Sequence, residues 1–207
     1  MVELFLHYMK NIVVKAGLIT VGVLAVVGIL IFSLWILISP QSMATVSEKL
    51  GNYNFAVTCA DLKYKYSDET VDLARCAEDS ILSKDDSLIV EYCEQFVEKS
   101  DFDAVCRSRN EDIARNWILS SDSVLPAPDY RTYIIGSLAA AQYRSTGDLD
   151  KAMATAELGG KVECFTKLIV AVAEKDNKQD IEKIQTNSPL FAREYVKGVI
   201  DLLNTKK

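Results

Sequence analysis

Histidine is almost missing from this chain: one in 207 residues, His7, ahead of a long apolar run. Ser-His-Asp and Cys-His catalysis and His-bearing zinc sites are therefore excluded from everything downstream. No C-x-x-C pair occurs among the five cysteines, which removes thioredoxin-type redox chemistry and zinc ribbons. There is also no phosphate-cradling G-x-x-x-x-G-K, no G-x-G-x-x-G and no G-x-S-x-G elbow. Basic charge is scarce as well, with 23 Lys and Arg against 29 Asp and Glu. Polyanion binding needs basic surface to displace counterions, so no nucleic-acid partner is expected. No cofactor or metal is expected either: acid pairs such as Asp85-Asp86 and Glu111-Asp112 lack a calcium-loop pattern and suit helix starts.

Charge is wholly absent from residues 16–38, AGLITVGVLAVVGILIFSLWILI. A helix of that length rises roughly 34 Å, enough to cross a hydrocarbon core of about 30 Å. Pro40 ends or bends it, and Tyr8 and Trp35 suit the two interfaces. The run exceeds the usual apolar core of a signal peptide, although Ser42-Met43-Ala44 would serve as a cleavage site. Lys10 and Lys15 precede the span and only Lys49 closely follows it. The expected topology is a single-pass membrane protein with residues 1–15 as a cytoplasmic flank and residues 41–207 outside.

The remainder reads as all-α. Ile89, Tyr92, Cys93, Phe96 and Val97 follow the i, i+3, i+4, i+7, i+8 spacing of a buried stripe. Phe165, Leu168, Ile169 and Val172 repeat it, as do Ala192, Tyr195, Val196, Val199, Ile200 and Leu203. The spacing predicts helices over 43–50, 53–65, 68–83, 87–99, 101–119, 130–145, 148–158, 161–175, 178–186 and 189–204. Ser67 is expected to cap the helix after it, and Ser188-Pro189 to open the last one. Ser120–Asp129, SSDSVLPAPD, carries two prolines and no stripe. It is expected as a linker between a first half, 41–119, and a second, 130–207, each small enough to need the other's core.

Tyr143-Arg144-Ser145-Thr146-Gly147-Asp148-Leu149-Asp150-Lys151-Ala152 resembles the middle of a tetratricopeptide repeat. Ala140, Tyr143, Gly147, Ala152 and Ala156 fall at the family's spacings, with a Gly-Asp turn between two helices. Leu50-Gly51-Asn52-Tyr53-Asn54-Phe55-Ala56 repeats the turn and the alanine, and Lys99-Ser100-Asp101-Phe102-Asp103-Ala104 echoes it with Ser for Gly. The echoes lie 49 and 47 residues apart rather than the family's roughly 34, so the array is irregular. The resemblance implies an irregular α-solenoid of antiparallel helix pairs, a scaffold for binding other proteins. By the same resemblance, Tyr133, Ser137 and Arg144 would line an accessible concave groove, with Tyr143 and Ala152 packed beneath.

Four cysteines, Cys59, Cys76, Cys93 and Cys106, lie within 48 residues. In an oxidising compartment they could staple neighbouring helices; otherwise they are small apolar residues at helix contacts, and Cys164 is the odd one out. The function expected is a membrane-anchored adaptor or scaffold for a protein partner, held in the lipid bilayer through residues 16–38. The alternatives are a purely architectural subunit of a larger membrane complex, and an enzyme working with carboxylates or a thiol. Strongly raised carboxyl pKa values deep in a cleft would favour the enzyme.

Overall fold

A computed structural model of the chain describes the backbone of residues 2–119 and 129–205, and the side chains of residues 20–112, 129–203 and 205. Eleven helices and no strand occur among the described residues: α1 Val2–Ile38, α2 Pro40–Lys49, α3 Tyr53–Ser67, α4 Thr70–Ser83, α5 Asp86–Val97 and α6 Phe102–Leu119, then α7 Tyr130–Thr146, α8 Leu149–Leu158, α9 Cys164–Glu174, α10 Lys178–Asn187 and α11 Arg193–Thr205. The 120–129 linker falls outside the described residues except Asp129, as do the side chains of Tyr8, Lys10 and Lys15.

Within α1, Thr20–Ile38 is long and apolar enough to cross a membrane, and no residue of it is fully buried. The break expected at Pro40 is present: α1 stops at Ile38, and Pro40 takes the first position of α2, after Ser39 (φ −141°). An N-terminal proline forfeits no hydrogen bond there. The base of α1 is nevertheless anchored. Ile36 and Phe55 pack against Met43, Ala44 and Cys59, and the rings of Phe32 and Phe55 stack 6.2 Å apart.

Side-chain acceptors start most of the remaining helices. Asn52, Asp85, Asp129, Asp148 and Asn177 accept from backbone N–H groups in the first turns of α3, α5, α7, α8 and α10. Asp68 and Lys84 end α3 and α4 in the left-handed region, and Gly147 ends α7 there at φ 74°. Two expected caps move. Ser67 is the last residue of α3, its hydroxyl donating to Asp72, because the left-handed Asp68 terminates that helix first. Ser188 closes α10, and the Pro189 carbonyl accepts from Ala192 and Arg193 in a turn that delays α11.

One core runs through both predicted halves, from Val57 and Leu73 through Phe96 and Tyr130 to Phe165 and Val196. Its centre is α7, which packs against α5, α8 and α9. Residues Ile134 to Tyr143 are buried on every side of that helix, so it carries no apolar stripe to be read from the sequence. Gly136 lets α9 come close: a methyl group in its place would meet the Cys164 carbonyl oxygen at 3.2 Å. The polar atoms within this centre are paired. Gln142 donates to Glu94 of α5 at 2.6 Å and accepts from Thr155 of α8 at 2.7 Å. The Arg131 guanidinium caps the last carbonyls of α8, those of Leu158 and Gly159.

Candidate functional site

The three residues nominated from the sequence lie on one side of α7, at 133, 137 and 144, and the fold gathers them around a residue that was not nominated, Lys167 of α9. The Lys167 ammonium lies 4.0 Å from the centre of the Tyr133 ring and donates to the Ser137 hydroxyl. Ser137 in turn donates to the Tyr133 carbonyl at 2.6 Å. Arg144 is committed elsewhere. Its Nε and Nη2 grip the Asp86 carboxylate of α5 at 2.7–3.0 Å. The expectation of an open trio is corrected accordingly: Ser137 is only 4% exposed, Tyr133 sits beneath Lys167, and Arg144 ties two helices together. Tyr143, expected beneath them, is buried, and its hydroxyl donates to Asp180 at 2.6 Å.

A depression of about 230 Å³ opens on this side, walled by Ile81, Ile89, Ala140 and Val170, with Lys84, Arg144 and Lys167 around it and no acid in its lining. Burial pushes the Lys167 ammonium down to about 8, with Arg144 adding repulsion and only Cys93 opposing. Lys84 makes no ion pair among the described residues. A serine beside a lysine invites a nucleophilic reading, but the Ser137 proton is directed at the Tyr133 carbonyl and not at Nζ. The geometry suits recognition of a carboxylate.

A second depression, of about 530 Å³, lies beyond the base of α1, where α2, α4 and α6 meet. Four acids and two arginines line it: Glu48, Asp72, Glu78, Asp79, Arg75 and Arg109. Arg75 donates to Glu48 through Nε at 2.9 Å and Nη2 at 2.6 Å. Asp72 takes the Ser67 hydroxyl and lies 3.5 Å from Lys63. Arg109 Nε stands 3.5 Å from Glu78, too far for a hydrogen bond, and has no hydrogen-bond partner among the described residues. Asp79 Oδ2 has none either, although the residue is only 2% exposed. Burial, reinforced by the facing Glu48 and Glu78, pushes the Asp79 carboxyl up to about 7 against the pull of Arg75. Glu78 is raised for the same first reason, opposed by Arg109.

Sequence reasoning missed this cleft because its walls come from positions 41 to 109, and no motif links them. One signal was present: Asp79 lies three residues after the buried Cys76, an acid on the inner side of α4. The cysteines nominated as staples, Cys59, Cys76, Cys93 and Cys106, are all buried and free, as is Cys164, and no bridge joins them. Burial raises every one of these thiols, Cys93 and Cys106 to about 12, so they behave as small apolar residues at helix contacts. No cluster of three or more metal-ligating side chains occurs among the described residues. Comparison with protein-family models, with curated proteins and with solved structures finds no match for the chain.

Proposed function

We propose that the chain is a single-pass membrane adaptor, its N-terminal segment cytoplasmic and its helical domain outside, which holds an acidic segment of a protein partner against α7 and α9. The observation that carries this reading is the acid-free depression with Lys84, Arg144 and Lys167 at its edge and apolar walls between them, on a chain of net charge −6. A carboxylate there would meet Lys84 and the desolvated Lys167, while Ile81, Ile89 and Val170 take the apolar part of the segment. The solenoid reading draws support from helix stacking: α5, α7, α9 and α11 pack in succession, each against the next but one in the chain. The tetratricopeptide-like turn supports it too, with Gly147 left-handed and Ala152 and Ala156 buried behind it.

The test is crosslinking in native membranes, followed by affinity measurement with the partner recovered. Lys84→Gln and Lys167→Met should each weaken capture about tenfold, as loss of a charged anchor does. Arg144→Ala is a poor probe, because it also frees Asp86 from α7. A partner that binds both lysine variants unchanged would discard this face. Protease added to right-side-out vesicles should digest residues 41–207; protection would reverse the orientation. One observation favours a second reading, an enzyme using two carboxylates: the raised Glu78 and Asp79 in the α2–α4–α6 cleft. Against it, Glu48 and Glu78 are each held by an arginine, which leaves a single unengaged acid where such chemistry needs a pair.

A further inference from the structure

The cleft between α2, α4 and α6 contains more acid than its arginines can match. Arg75 engages Glu48, Arg109 stands by Glu78, and Asp72 has Lys63 and Ser67. Asp79 is left over, almost wholly enclosed, with Oδ2 facing no donor among the described residues. Leaving a buried carboxylate oxygen unsatisfied is costly, so either a proton or a cationic donor must answer it. The surroundings select the cation's chemistry. Calcium or magnesium wants six or more oxygen ligands, zinc four, and no cluster of three ligating side chains occurs among the described residues. An ammonium needs only acceptors, which Asp79 and the Glu48 oxygen not taken by Arg75 provide, with Gln41 and Tyr53 also in the lining. Val71 and Leu82, both exposed on the lining, offer an apolar wall for an alkyl stem.

We infer that this cleft is a binding site for an alkylammonium group, which Asp79 takes as its principal partner with Glu48 beside it. Arg109 Nε, the other unmatched group, is a donor for an oxygen carried by the same ligand. The site is separate from the α7–α9 face and stands whether or not that face binds a partner.

Cation binding must displace whatever proton Asp79 holds, so affinity depends on pH. The groups facing Asp79 are Glu48 from α2, Cys59 from α3, Arg75, Cys76 and Glu78 from α4, and Arg109 from α6. Both thiols are raised above their ordinary value and stay protonated at pH 8. With Asp79 near 7, the ligand finds the carboxylate ionised at pH 8 and mostly protonated at pH 6.

The experiment is calorimetric titration of the full chain in nanodiscs with 1,5-diaminopentane and with Nα-acetyl-lysine methylamide, using 1,5-pentanediol as the uncharged control. Saturable binding of at least one amine is expected at pH 8, about tenfold weaker at pH 6, with none for the diol. Tighter binding of the lysine derivative assigns the site to a peptide lysine that also uses Arg109; equal or weaker binding assigns it to a free amine. Asp79→Asn should reduce binding at least tenfold. Leu82→Trp, a change at an exposed position, should block the cleft even where the asparagine variant fails to fold. No saturable binding at pH 8, equal affinity at both pH values, or wild-type affinity in Leu82→Trp would each overturn the inference.

Discussion

Lys167→Met should make the protein more stable at pH 7 while it weakens the proposed capture of an acidic partner. Burial lowers this ammonium from its ordinary 10.5 to about 8. At about 1.4 kcal/mol per pH unit, keeping it charged costs the folded state roughly 3 kcal/mol. Its head remains in part at the edge of a depression, so solvent screening reduces that figure to about 2 kcal/mol. Loss of the contact with the Tyr133 ring and of the hydrogen bond to Ser137, together on the order of 1 kcal/mol, opposes the gain. Methionine fills a similar volume with an unbranched stem, and Ser137 keeps its bond to the Tyr133 carbonyl. The net expectation is a stabilisation of about 1 kcal/mol. The sign is checked by pH. Between pH 8 and 10.5 the unfolded state binds the lysine proton and the folded state does not, so wild-type stability rises across that window. The variant lacks this rise, and its advantage must shrink towards pH 10.5. Urea unfolding of both proteins in one detergent at pH 7 and pH 10 gives a double difference from which the other titrations cancel. A variant less stable than wild type at pH 7, or an advantage of the same size at both pH values, would refute the assignment of Lys167 as a desolvated cation.

Gly159→Ala would bring a methyl group within 2.1 Å of the Cys164 sulfur, so a loss of about 1–3 kcal/mol is expected in thermal unfolding. Most of it should return when Cys164→Ala is added, and a double mutant no better than the single would place the strain elsewhere. Gly147→Ala must hold φ near 74° and should lower stability by about 1 kcal/mol, again read by unfolding. All five thiols are buried and shifted upward, so an aromatic disulfide reagent at pH 8 should find essentially none in the native protein. After denaturation without reductant it should find five; three or one would reveal bridges.

Stripes of period 3.6 made most helices legible, since α5, α9 and α11 each have one buried side and one wet side. The stop at Gly147 and the start at Asp148 were legible for the same local reason, a left-handed glycine followed by a capping acid. What failed to show was long-range. Tyr133, Ser137 and Arg144 share a side of α7, yet whether that side is open depends on Lys167, 30 residues beyond Ser137, and on Asp86, 58 residues before Arg144. Helix α7 has no solvent side to set against a buried one, so periodicity could not identify it as the centre. The Asp79 cleft was illegible because an acid next to an acid, Glu78-Asp79, ordinarily reads as a wet surface. It is enclosed by groups distant in sequence, Glu48 from α2, Cys59 from α3 and Arg109 from α6.

Only Ser39 separates α1 from α2, and Phe32 and Ile36 brace the junction against Phe55, Met43 and Ala44. In the membrane-anchored arrangement proposed above, this joint is a bracket and not a swivel. A joint packed in this way limits the sweep of the domain above the bilayer compared with a module on a loose tether, and so narrows the heights and angles from which partners reach it. Strain can travel through the same joint. Gln41 and Glu48 line the acidic cleft and belong to the helix that follows the bracket, so a ligand pressing on them pushes on the base of α1 through a joint of one residue, Ser39.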